Sequence, residues 1–448
     1  MNEFFKTRRR LLIGLGLLGA AGALYRPVHR YLEGRSLRQE WEEDWRKASG
    51  DAKHGEPSPP PEHAGVLPAR IERDLTLKAE HAPWLVDKNI TIPAGVTLTM
   101  EAGCEILIGR YNYFEVSGRI VAQGEAGNPV RLRAYSSAES DKSAGMLIID
   151  SDMPSLFRHV AFENSYYGAK VVRAAAHWQG CTFSNVREIC SGYKSDTRFH
   201  DCIVDYRNFP GSGNINVFKF HKGWAHMEGC SVHCPDSDYK VDGVDADYMI
   251  QGVFRGNRLY GGACPGADAF DIGRGSRNVL LEDNIISDFV DKGISVGEGA
   301  EVMARNNVIS GCAMGIGVKD KAMARVTRTT FYGNDYAVKC YEKVAGQDGG
   351  HAELEDCIIA GCKIAPFTID DNSSISFTRT LCDQLLLPGE NNLQGTPVFE
   401  DVAGGLFNCT GITMADGTTR ECGMLGASIE PHPTGSRAGR QTVGSKRT

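Results

Sequence analysis

From about residue 85 the chain alternates apolar and polar residues in short bursts, each cut by Gly, Asn or Asp. Period two of this kind predicts strands with one buried and one exposed side. No burst leaves room for a helix of ordinary length. The bursts also repeat. "NVLLEDNIISDFVDKGISVGEG", "AEVMARNNVISGCAMGIGVKDK", "AMARVTRTTFYGNDYAVKCYEK" and "HAELEDCIIAGCKIAPFTIDD" align on Asn284, Asn307, Thr330 and Cys357. Going backwards, the same column reads Asn257, Cys230, Cys202, Cys181 and Ala161, with steps between 20 and 28 residues. A unit of that size cannot bury its own apolar side, so neighbours must stack into a continuous core. The expectation is an all-β chain wound as a three-sheet parallel β-helix, with small polar residues and buried thiols laddered inside.

Aligning one strand per unit separates its two sides. In "NVFKFHK", "GVDADYM", "AFDIGRG", "GISVGEG", "GIGVKDK" and "AVKCYEK" the apolar pairs run from Phe218/Phe220 to Val338/Cys340 and face inward. The residues between them then face outward and read Lys219, Asp245, Asp271, Ser295, Gly317 and Lys339. The next outward column is His221, Asp247, Gly273, Gly297, Lys319, Tyr341. The residues entering the strands are Asn216, Asp242, Asp268, Lys292, Met314, Tyr336. Asp242, Asp245, Asp247, Asp268 and Asp271 thus share one face over two coils about 4.8 Å apart. Like charges so close demand a counter-ion. Either Ca2+, which takes oxygen ligands, or Lys219, Arg274, Lys292 and Lys319 can serve. Gly273, Gly293, Gly297, Gly315 and Gly317 suggest room for a long ligand above the sheet. The competing reading is a solvated charge ladder.

Composition narrows the setting. The net charge is −7, and residues 1–30 hold six Lys/Arg against one acid, leaving −12 on the rest. That excludes a general nucleic-acid binder. "MNEFFKTRRRLLIGLGLLGAAGALY" has a basic start and an apolar run too short for an ordinary spanning helix. It predicts an export signal or inner-membrane anchor, and "TRRRLL" resembles the twin-arginine signature. The expected location is periplasmic or secreted. Residues 31–66 read as a charged, Pro-rich linker, 67–423 as the coil domain and 424–448 as a disordered tail. No Cys spacing suits zinc or a redox pair, and Cys409 and Cys422 are the disulfide candidates.

The stretch "DKNITIPAGVTLTMEAGCEILIGRYNYFEVSGRIVAQGEAGNPVRLRAYSS" is similar to the first coils of bacterial secreted right-handed β-helix proteins, the pectate-lyase and polygalacturonase superfold. The resemblance covers roughly residues 85–400 and implies a right-handed parallel β-helix. Such folds carry lyases, hydrolases, epimerases and scaffolds alike. "GADAFDIGRGSRNVLLEDNIISDFVDKGISV" resembles the polygalacturonase catalytic stretch. Asp268 matches its first Asp and Asp291 the first of its Asp pair. Lys292 stands where the second Asp belongs, and Ala313-Met314-Gly315 where Gly-His-Gly belongs. The inverting hydrolase pair is therefore incomplete.

Lys292 instead fits a lyase, which needs a base for the C5 proton of a uronate and a cation for its carboxylate. The resemblance implies Lys or Arg as base, with Asp-bound Ca2+ as the neutraliser. The candidate catalytic residues are Lys292, Asp268, Asp291 and Arg274. Asp271, Asp245, Lys219, His221, Lys319 and Glu298 are candidates for substrate binding. Asp242, Asp245, Asp247, Asp268 and Asp271 are candidates for calcium, with no organic cofactor expected. The expected function is an extracytoplasmic protein acting on an acidic or cell-envelope polysaccharide, lyase or epimerase before hydrolase. The alternative is a non-catalytic glycan-binding or scaffold protein of the envelope. On the enzyme reading, Lys292→Ala should abolish turnover without affecting folding.

Overall fold

The computed structural model describes residues 33–43, 46–47, 65–136, 142–206 and 214–429. The expected export signal, most of the Pro-rich segment and most of the tail lie outside these residues. The described chain is a right-handed parallel β-helix whose coils present three faces. One face is a 13-stranded parallel sheet running from Leu75–Leu77 to Ser374–Thr378. The other two join through the long strands Val160–Val172 and Thr182–Tyr193. In later coils they separate, as in Ile203–Asp205 and Ile215–His221.

The corners explain the turn residues. Gly180, Asp201, Gly229, Gly256, Asp283, Asn306, Arg328, Asp356 and Arg379 all have φ between +44° and +65°. Gly, Asp and Asn tolerate this left-handed region best. The residue after each corner points inward, giving the column Cys181, Cys202, Cys230, Asn257, Asn284, Asn307, Thr329, Cys357, Thr380. Each of these is at most 1% exposed. Two positions differ from the sequence expectation. The ladder takes Thr329, not Thr330, and Val160, not Ala161, because only Thr329 and Val160 follow the left-handed Arg328 and His159. Cys181, Cys202 and Cys230 remain free thiols, while Cys409 and Cys422 are bonded, with a Cα separation of 6.0 Å.

The three Asn amides form a continuous chain. Asn284 Oδ1 accepts from the Asn257 amide N–H (3.0 Å) and from Asn257 Nδ2 (3.1 Å). Its own Nδ2 donates to Phe254 O (2.9 Å) and Asn307 Oδ1 (2.9 Å). Asn284→Ala would leave these buried groups unpartnered, and each orphan costs about 1–3 kcal/mol. The expected loss is about 3 kcal/mol after partial relaxation, read as a lower urea midpoint. A loss below ~1 kcal/mol would mean that water replaces the amide.

Two further segments dress the coil. Within the stretch read as linker, residues 33–43 form a helix. Its Trp41 is fully buried and meets Tyr113 edge-on at 4.9 Å. Glu33 accepts from Lys194 Nζ (2.8 Å), the Tyr193 hydroxyl (2.9 Å) and Arg173 Nη1 (3.2 Å). At the other end Thr396–Asp401, Leu406–Thr413 and Thr419–Arg420 form an antiparallel sheet. This sheet folds back on the coils, with Phe407 against Val308 and Tyr332 and Ile412 among Ile358, Ala360 and Leu381.

Candidate functional site

Strand pairing places the charged residues in the expected columns. Lys219 opposes Asp245, which opposes Asp271, then Ser295, Gly317 and Lys339. Asn216 opposes Asp242, and Asp268 opposes Lys292. His221 opposes Asp247 and then Gly273. The apolar partners Phe218, Val244, Phe270, Ile294, Ile316 and Val338 are fully buried, so the outward assignment holds. Arg274 and Glu298 sit on left-handed corners at the end of this face.

The charges sort into groups of different exposure. Lys292, 6% exposed, contacts Asp268 Oδ1 at 3.3 Å and makes a close ion pair with Asp291. Asp268, 2% exposed, also accepts the Lys292 amide N–H (3.0 Å), while its own N–H donates to Asp242 Oδ1 (2.9 Å). Asp242 pairs with Lys240 at 2.9 Å. Arg274 lies 3.4 Å from Asp247 and 3.3 Å from Glu298. Lys319 donates to Ser295 Oγ (2.5 Å) and lies 3.8 Å from Asp271. Asp245, half-buried, accepts from Asn216 Nδ2 (2.6 Å).

Burial and neighbouring charge shift these groups in different directions. Burial, then Asp247, push Asp245 up to about 7 against Lys219. Burial pushes Asp268 up to about 7 as well, reinforced by Asp271 and Asp242 and opposed by Lys292. Burial works against the charge of Lys292, but Asp268 and Asp291 outweigh it and hold its pKa high. Burial lowers Lys319, only partly offset by Asp271. Burial also lowers His221, helped by Lys222, Lys219 and Arg274. Its ring stacks on Tyr193 at 5.5 Å.

Several sequence expectations change here. The glycines do not leave an open floor. A Cβ on Gly317 would meet Lys292 Cδ at 2.8 Å, and one on Gly297 would meet Lys319 Cε at 2.8 Å. They seat the lysine stems, which is how both ammonium groups come to be buried. Gly293 and Gly315 would instead meet backbone oxygens of the next coil. Lys292 is a poor base, since its pKa is raised and its ammonium is covered. Lys292→Ala would strand the buried Asp268, so an effect on folding is expected as well. The five Asp do not converge, for each leans on its own cation or amide. No three of them bring ligand atoms within 4.8 Å among the described residues.

Some contributors were not anticipated. Lys240 sits in the turn before its strand, outside the aligned columns, yet pairs with Asp242 and approaches Asp271 at 3.9 Å. Glu188 and Ser191 extend the face by one coil, since Ser191 opposes Lys219. Burial pushes Glu188 up, against Lys219, Arg187 and Lys170. "EICSGY" shows the same alternation, so extending the column one unit backward finds them.

The described family "Right handed beta helix region" matches residues 272–389. No curated protein matches the chain. Among solved structures, the Azotobacter vinelandii mannuronan C-5 epimerase AlgE6 A-module is 12% identical. It covers 69% of this chain and 91% of that one, with a TM-score of 0.37. A tailspike protein of E. coli bacteriophage HK620, in complex with pentasaccharide, is 13% identical over 74% of this chain and 60% of that one, with a TM-score of 0.37. An alginate lyase from Paenibacillus sp. is 12% identical over 72% and 99%, with a TM-score of 0.28. Likeness at this level carries no argument about activity. The coil geometry and the matched stretch make the chain a right-handed parallel β-helix, and it is to that fold that it is assigned.

Proposed function

We propose that the charged face between Lys219 and Lys319 binds and transforms an acidic or cell-envelope polysaccharide outside the cytoplasm, as a lyase or epimerase before a hydrolase. One observation carries the reading. Around Asp271, Asp245 is pushed up to about 7 while Lys319 is pushed down. Two groups drawn toward neutrality from opposite sides are what proton transfer needs. Asp245 is the better-exposed carboxyl, and Lys319 supplies the second proton carrier. Lys219 and Arg274 supply charge for a uronate carboxylate, and Tyr193 and His221 offer stacked rings at one end. Asp268 and Asp291 are both held by Lys292, which counts against their flanking a glycosidic bond as a hydrolase would require.

The second reading is a glycan-binding or scaffold protein. It is favoured by how completely the charges satisfy one another: Asp242 with Lys240, Asp268 and Asp291 with Lys292, and Asp247 and Glu298 with Arg274. A turnover panel separates the two. Purified protein is incubated with uronate polymers and neutral glycans, with and without Ca2+. Ultraviolet absorbance reports unsaturated ends, and new reducing ends report hydrolysis. Solvent deuterium at C5 reports epimerisation. Growth in the first or third channel supports the proposal, and calcium dependence there restores the ion as neutraliser. Silence in all three, with glycan binding retained, favours the second reading.

A further inference from the structure

On the opposite 13-stranded face the coils bring three metal-ligating side chains together. Asp196–His200 and Trp224–Glu228 are neighbouring strands in which Arg198 opposes His226 and His200 opposes Glu228. His226 and Glu228 are two residues apart on one strand and so point the same way. His200 joins them from the preceding coil. His226 Nε2 lies 3.1 Å and His200 Nδ1 3.6 Å from Glu228 Oε2, and the two rings are 5.1 Å apart. One ligand atom from each residue fits within 4.8 Å of the others.

A tetrahedral ion with bonds of about 2.0–2.1 Å has ligand atoms about 3.3 Å apart, which is the spacing the carboxylate already has to both nitrogens. The carboxylate is also free for the task. Arg255, next in its column, is drawn to Glu282 at 2.8 Å, and among the described residues the ion pairs of Glu228 are with these two histidines. A recess of about 460 Å³ adjoins the group, lined by Asp196, Arg198, Trp224, His226, Gln251 and Val253. Trp224 in it is 46% exposed.

We propose that His200, His226 and Glu228 hold one imidazole-preferring first-row divalent cation of the Zn2+ class. Three protein ligands leave a coordination position for water or an incoming group. The site belongs to a different sheet from the acidic face. Its chemistry also differs, because two nitrogen donors disfavour Ca2+ and Mg2+, which take oxygen.

The test is calorimetric titration of tag-free full-length protein with Zn2+ at about pH 7.5, because metal binding must displace protons from its ligands and weakens in acid. One saturable equivalent is expected. His200→Ala and His226→Ala should each weaken it by roughly tenfold or more, since each removes a direct ligand. Asp245→Asn should leave it unchanged, and Mg2+ should not compete. Both histidines are half-buried on the outward side of their strands and neither belongs to the core, so circular dichroism should show the variants folded. Saturable binding that survives His200→Ala/His226→Ala, or no saturable binding at all, overturns the proposal. Either result leaves the reading of the acidic face untouched.

Discussion

Lys292→Met is expected to cost about 3–5 kcal/mol of stability, the usual penalty for stranding a buried charge. Met preserves the stem that lies over Gly317, so packing changes little and the effect isolates the ammonium. Its loss leaves Asp268, 2% exposed, with Asp242 and Asp271 nearby and no Lys292 to oppose them. The loss should depend on pH. Asp268 is already pushed up to about 7, far above its unfolded value near 3.9. A carboxyl with a raised folded pKa favours folding at low pH, and that benefit fades as pH rises through the folded value. Without Lys292 the fading extends to higher pH, so the variant should be weaker at about pH 8 than at about pH 5. Adding Asp268→Asn should recover much of the loss, because it removes the stranded charge. Urea denaturation at both pH values gives the answer. A loss below ~1 kcal/mol for the single variant would place this pair with exposed ion pairs.

Asp245→Asn should be both inactive and more stable. If Asp245 moves a proton in the reaction, its loss should cut turnover by about 10²–10⁴-fold, and Lys319→Met should do the same. The pH profile of kcat/KM should lose its limb near neutrality in Asp245→Asn, which a merely structural role would not produce. The stability effect has the opposite sign. The folded pKa of about 7 lies above the unfolded value, so the wild-type side chain costs stability increasingly as pH rises from about 4 to about 7. Asn carries no such cost. With a discount for partial exposure, the variant should gain about 1–2 kcal/mol at about pH 8 and nothing at about pH 4. A thermal melt series would show the two curves converging in acid. An active variant would sink the catalytic role of Asp245. An unchanged stability difference across the series would sink its raised pKa.

Much of this fold was legible because the signal is strictly local. Period-two alternation assigns a side to each residue, and the unit length stacks the sides. The columns from Lys219 to Lys339 follow from those two rules alone. What failed was anything set by backbone handedness or side-chain reach. "TRTTFY" offers two adjacent threonines, and only the left-handed Arg328 shows that Thr329 enters the ladder. Lysine side chains reach across coils along the helix axis, Lys292 over Gly317 on the following coil and Lys319 toward earlier ones. Lys319 finds Ser295 and Asp271 on earlier coils by filling the space over Gly297, so a glycine read as open floor is a seat. Lys240 was invisible because turns carry no periodicity. The His200, His226 and Glu228 group was legible by the same alternation applied to the strands of the other face.

The returning C-terminal segment changes how the molecule bears load. The Ala427 N–H donates to Thr330 Oγ1, Ser428 N–H to Asn306 Oδ1, and Asn306 Nδ2 back to Ser428 O, across 97 and 122 residues of sequence. Phe407 and Ile412 press on coils from Val308 to Leu381. A bare solenoid pulled from its last residue peels one coil at a time, each step at low force, because each repeat holds only its neighbours. Here the pull first meets a brace spanning several coils, whose bonds are loaded in parallel. The returning segment is therefore a mechanical latch: a pull from its C-terminal side is spread over the side wall and must rupture the latch before the coils it covers can unwind.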